Sequence, residues 1–179
     1  MGVFNRNGRI KPSLYKPESL ERGTGVWGSE INHGILAYIE VMRVSSKYQR
    51  KGLGRWVVEK LLTCDALAVC PVVLRYLVDS HISDVKHCPF FFTMPGVINT
   101  SSPFEPPDPD FESKRNGVVS FWSAVGFRRV AGTYFFGYAR NANHPMRSLR
   151  AEDDAGERQN LKHFTLHDAF DASVTVING

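Results

Sequence analysis

An α/β or α+β domain is the fold class that the sequence predicts, and three observations predict it. The run "GILAYIEVMRV" (residues 34–44) is rich in Ile, Val, Leu and Tyr with no breaker after Gly34, and reads as a largely buried strand. From Leu53 onward, Leu53, Trp56, Val57, Leu61, Cys64 and Ala68 recur at three and four, one face of an amphipathic helix. After Pro71 the run "VVLRYLV" (residues 72–78) returns to strand character. Strand, helix and strand in that order require a crossover, and crossovers between parallel strands are right-handed.

The flanking segments set the domain limits. Residues 1–22 are polar and carry Pro12 and Pro17, and residues 1–33 read as an irregular or abbreviated N-terminal part in which "TGVWGSEI" is the only strand-like stretch. Residues 34–140 form the core. Within it, residues 83–115 carry many prolines and serines and five phenylalanines, and read as a long insertion without regular structure. "NGVVSFWSAVG" predicts a short helix with Asn116 at its N-cap and Gly126 as its C-terminal stop. "FRRVAGTYFFGYA" predicts two strands joined around Ala131 and Gly132. Residues 141–179 read as a polar tail. In it "FTLHDAF" resembles the opening of an ankyrin repeat without its proline, but no second copy follows, and a lone repeat cannot bury its own face.

Composition narrows the classes. The chain has 179 residues, 42% hydrophobic and 22% charged, as in a globular domain with a core of its own. No apolar run approaches the roughly 20 residues of a membrane span, and no secretory signal is visible. Three cysteines without CxxC spacing fit a reducing compartment, so a cytoplasmic or nuclear location is expected. Cys64, Cys70, His81, His87 and Cys88 match no common zinc spacing, and no metal is expected. The net charge of +4 is uneven. Residues 1–60 hold eleven Lys and Arg against five Asp and Glu, which suggests an anionic partner for that third of the chain.

"KYQRKGLGRW" (residues 47–56) lies between the first strand and the helix. A helix start leaves its first amides unpaired at the positive end of the helix dipole. Gly52 and Gly54 allow close approach, and Arg50, Lys51 and Arg55 attract anions, so the stretch suits a phosphate group. It lacks the third glycine of a dinucleotide fingerprint and the GK[ST] of a P-loop. On local physics a solvated basic turn is an equal alternative.

"VSSKYQRKGLG" resembles the acyl-CoA pyrophosphate loop of the GNAT N-acetyltransferase superfamily, with the pattern Gln/Arg-x-x-Gly-x-Gly/Ala on Gln49, Gly52 and Gly54. "FWSAVGFRRV" resembles that superfamily's later motif, a helix ending in aromatic-x-x-x-Gly-Phe before a strand. The resemblance implies a mixed central sheet flanked by helices, with two splayed parallel strands, here residues 36–44 and 72–78. It also implies acetyl-CoA as cofactor and transfer of its acetyl group to a primary amine of a small molecule or protein, by direct attack in a ternary complex.

By the same resemblance, backbone groups of Met42 and Val44 pair with the pantetheine arm. The amides from Gln49 through Arg50, Lys51, Gly52, Leu53 and Gly54 to Arg55 hold the pyrophosphate. Alternation puts Leu36, Tyr38, Glu40, Met42 and Val44 on one strand face. Glu40, the only carboxylate there, is the candidate base; Asp79 is a weaker one, and a purely structural Glu40 paired with Arg43 is the alternative. Where the family often has a tyrosine acid this chain has Trp122, whose indole cannot protonate a thiolate and which suits core packing. Ser123, Tyr134, water or no acid at all remain for that step. That departure and the short N-terminal part leave open a degenerate member that binds CoA or a protein without catalysis. A nucleic-acid module is the third reading, weakened because the aromatics lie apart from the cations.

Overall fold

The computed structural model describes residues 3–33, 36–64, 88–96 and 109–154. They form a mixed α/β fold with four strands and two α-helices among the described residues. In chain order these are β1 (Leu36–Ile39), α1 (Leu53–Thr63), β2 (Phe90–Thr93), α2 (Phe111–Ala124), β3 (Arg128–Arg129) and β4 (Phe136–Ala139). The sheet order is β1-β2-β4-β3. β1 pairs parallel with β2, from Leu36 opposite Phe90 to Ile39 opposite Thr93, and the other two pairings are antiparallel.

The parallel partner of β1 is thus Phe90–Thr93, inside the stretch expected to be an irregular insertion. Residues 72–78 lie outside the described residues, as do Cys70, Asp79, His81, His87 and the "FTLHDAF" stretch. Phe90, Phe91, Phe92 and Thr93 are all buried, so this strand is covered on both faces and shows no alternation. Its flanking prolines, Pro89 and Pro95, lie outside the ladder and do not break it. The insertion also ends earlier than expected, because α2 begins at Phe111 with Asp110 as its N-cap. Asn116 is an exposed residue inside that helix and not its cap.

The sheet separates two apolar clusters. On one face Phe91, Phe127 and Phe136 meet Val58 and Leu62 of α1 and Trp122 of α2. On the other, Phe90, Phe92 and Ala139 meet Val3, Ile10, Leu14, Trp27 and Ile31. Among its described residues the N-terminal segment holds no α-helix and no strand of the sheet, only one-turn 3₁₀ helices at Pro12–Leu14, Leu20–Arg22 and Ser29–Asn32. The strand-like "TGVWGSEI" runs into the last of these, which begins at Ser29. The segment is nevertheless one wall of the core. Gly132 N–H donates to the Glu21 carbonyl, Ile10 N–H to Asn32 Oδ1, and His144 Nε2 lies 3.1 Å from Glu30 Oε1. Part of the expected polar tail joins this wall, with His144 and Met146 buried.

An arginine closes one of the two helix ends, and a glycine the other. Arg140 donates to the carbonyls of Leu62 and Cys64, the last of α1, and stacks on Phe91. At the end of α2, Gly126 takes φ +96°, its N–H donates to Ser123, and Phe127 N–H donates to Trp122. That is the Schellman pattern, and it makes Gly126 the stop that the sequence predicted. The hairpin around Ala131 and Gly132 also forms as expected, with β3 and β4 antiparallel.

Cys88, just before β2, is fully buried and its thiol lies 3.1 Å from the Phe90 carbonyl. Burial pushes the thiol up from its ordinary value, against the weaker opposing effects of backbone hydrogen bonds and Arg140. Alkylation mapped by mass spectrometry in the folded state should modify half-buried Cys64 before Cys88. A raised folded value means that this group's contribution to stability is complete below the unfolded thiol value of about 8.5 and is lost as pH rises beyond it. Urea midpoints should therefore fall on the alkaline side. Equal labelling of both cysteines would contradict this placement.

Candidate anion site at the start of the first helix

β1 stops at Ile39, where Thr93 Oγ1 donates to the Ile39 carbonyl. The expected strand to Val44 does not continue, and its alternation breaks with it. Leu36 packs on the N-terminal wall, while Ala37, Ile39 and Met42 pack on the helix side. Met42 therefore lies on the opposite side from the face assigned to it. Glu40 is exposed just past the strand end and raises the Tyr38 hydroxyl value, secondarily to burial of that ring. It makes no ion pair with Arg43 or any other cation among the described residues.

The following loop is a single 3₁₀ turn, Ser46–Tyr48, closed by Gln49 N–H on the Ser46 carbonyl at 3.2 Å. Gln49 Nε2 reaches back to the Val44 carbonyl at 2.8 Å. Gln49 is consequently a brace across the base of the loop, with both its amide and its side chain engaged. Val44 presents an already occupied carbonyl, and its side chain approaches Gly54.

Beyond Gln49 the backbone changes hand twice. Arg50 has φ +59° and Gly52 has φ +78°. For arginine this conformation costs on the order of 1–3 kcal/mol, the kind of local strain that clusters at binding loops. Gly52 is the N-cap of α1, and its carbonyl accepts from Trp56 N–H at 3.0 Å. Having no side chain, it caps none of the first amides. The N–H groups of Leu53, Gly54 and Arg55 have no acceptor among the described residues, and the same holds for Arg50, Lys51 and Gly52. Space for a ligand exists there, since a Cβ on Gly52 would meet nothing within 4 Å. Gly54 is closer to its surroundings, 3.5 Å from the Phe121 ring by the same measure.

The cations differ in freedom. Arg50 and Lys51 are exposed without an ion pair among the described residues, whereas Arg55 Nε is held by Glu59 at 2.7 Å. Behind Arg55 a cleft of about 350 Å³ runs between α1, the end of α2 and the hairpin. Sequence reasoning missed it, because Glu59, Arg128, Tyr138 and Arg147 come from four separate segments.

The helix itself faces differently from its predicted orientation. Val58 and Leu62 are buried with Gly54 and Leu61 beside them, while Leu53, Trp56 and Val57 are 39%, 56% and 41% exposed. Both faces of α1 are apolar, so periodicity alone could not say which one packs. Trp122 is buried edge-on to Phe121 and Phe127, which is the core role that its indole suits. Ser123 is the penultimate residue of α2, and Tyr134 lies at the hairpin under Arg115. No helix among the described residues is long and apolar enough to cross a membrane. Searches against protein-family models, curated proteins and solved structures found no match to the chain.

Proposed function

We propose that the chain is an acyl-CoA-dependent N-acyltransferase that moves an acetyl group to a primary amine. The observation that carries this reading is the row of amides at Leu53, Gly54 and Arg55, which have no acceptor among the described residues and are entered through the left-handed Gly52. Such a row at the positive end of a helix binds phosphate oxygens through the backbone. The parallel pair β1 and β2, with α1 between them in the chain, and the helix ending at Gly126-Phe127 support the same reading.

In this scheme acetyl-CoA brings an activated thioester, with its pyrophosphate on those amides and Arg50 and Lys51 supplying attraction. Gln49 shapes the loop and does not bind. The exposed carboxylate of Glu40, at the end of β1 and without an ion pair among the described residues, accepts the proton of the attacking amine directly or through water. A second reading, binding without turnover, is favoured by Trp122, a core residue at the position where the family often keeps its acid.

A thermal-unfolding titration with acetyl-CoA tests the loop. At a hundredfold excess over Kd, binding stabilises by about 2.7 kcal/mol, roughly 5–10 °C for a chain of this size. The shift should vanish when Gly52 and Gly54 are both replaced by valine. No shift in the unmodified protein at saturating cofactor rejects the reading. Thiol release with a panel of amines then separates an enzyme from a silent binder.

A further inference from the structure

We infer that the cleft behind Arg55 is a second anion site, shaped for the dianion of a phosphate monoester. Its polar lining is Arg55, Glu59, Thr63, Arg128, Tyr138 and Arg147. Three guanidiniums face one carboxylate, an excess of two positive charges, and a phosphate monoester carries about −1.5 to −2 at neutral pH.

Arg128 is held by several hydrogen bonds before any ligand arrives, Arg55 by one exposed ion pair and Arg147 by a ring contact. Arg128 donates through Nε to the Leu149 carbonyl at 2.6 Å, and through Nη1 to Phe127 and Ser123 at 2.7 and 2.9 Å. Its Nη2 has no acceptor among the described residues. Arg147 lies on the Tyr138 ring, 4.5 Å from its centroid, also without an acceptor among the described residues. Arg55 uses only Nε on Glu59 and keeps its two terminal nitrogens. Pre-positioned guanidinium forks suit tetrahedral phosphate oxygens better than flexible ammonium groups do, because less freedom is lost per bond formed. A volume of about 350 Å³ admits a phosphoryl group with a small substituent. The Thr63 hydroxyl is turned back to the Glu59 carbonyl and contributes wall rather than contact.

The site is independent of the acyl-CoA reading and shares only Arg55 with the loop. Calorimetric titration of the full chain with inorganic phosphate and with O-phosphoserine tests it. Both should bind, more weakly as salt rises, and Arg147→Ala should lower the affinity about tenfold, the loss of one charge-assisted pair. In the Gly52, Gly54 double valine variant, where phosphate can no longer use the loop amides, phosphate should still bind and the loss on adding Arg147→Ala should persist. Absence of binding to the wild type, unchanged affinity in Arg147→Ala, or loss of binding in the loop variant would each overturn the assignment. An acetyl-CoA shift that survives any of these results leaves the loop reading intact, so the two proposals fail separately.

Discussion

Replacing Trp27 with alanine should destabilise the fold by about 3–5 kcal/mol, the range for emptying a buried aromatic site. Trp27 is 2% exposed and touches Phe90, Phe92 and His144, with ring centroids 6.4, 5.8 and 4.9 Å away. It also lies directly over Gly137 of β4, where a Cβ would come within 2.7 Å of the indole. The indole N–H is buried and has no hydrogen-bond partner among the described residues. Against a typical total of 5–15 kcal/mol the loss is large. Urea unfolding followed by far-ultraviolet dichroism measures it, with exposed Trp56→Ala as the control within about 0.5 kcal/mol of wild type. If the two variants unfold alike, the N-terminal segment is not a wall of the core.

Gly23→Val should be nearly as damaging, for a different reason. Gly23 has φ +63°, and a Cβ there would lie 2.7 Å from the carbonyl carbon of Ala131, a backbone atom that cannot rotate away. A left-handed conformation costs an ordinary residue roughly 1–2 kcal/mol. Forcing atoms into a filled site adds about 1–3 kcal/mol. Gly8 isolates the first contribution, since it has φ +71° but open space around its Cα. Gly8→Ala should therefore cost only about 1–2 kcal/mol. If Gly23→Val costs no more than Gly8→Ala, the close approach between the N-terminal wall and the β3–β4 turn is absent in solution.

What the sequence disclosed followed from how local each signal was. Gly126 and the strands beside Ala131 were legible because a helix stop and a hairpin are decided within about six residues. β2 was hidden because Phe90–Thr93 is short, buried on both faces and flanked by prolines. The face of α1 was misread because Leu53, Trp56 and Val57 match helical spacing as well as Val58, Leu61 and Leu62 do. At the candidate loop, Gly52 could be read as a place for ligand approach, and its left-handed cap fits that reading. The role of Gln49 could not be read, since only the folded backbone brings the Val44 carbonyl within reach of its side chain. The cleft was wholly invisible, as its arginines meet only after the hairpin and the segment beyond it have packed.

The long reach of the N-terminal wall has a consequence for how the chain is made. Thr93 meets Ile39 across 54 residues, and Glu30 meets His144 across 114. A ribosome delivers Val3, Ile10, Leu14 and Trp27 first, yet the surface that receives them is complete only when β4 and Met146 have followed. Contacts so distant in sequence slow folding, because loop closure is costly before any contact rewards it. Trp27 and its neighbours thus remain uncovered until β4 has been made, and a nascent chain stalled before β4 would present them to chaperones.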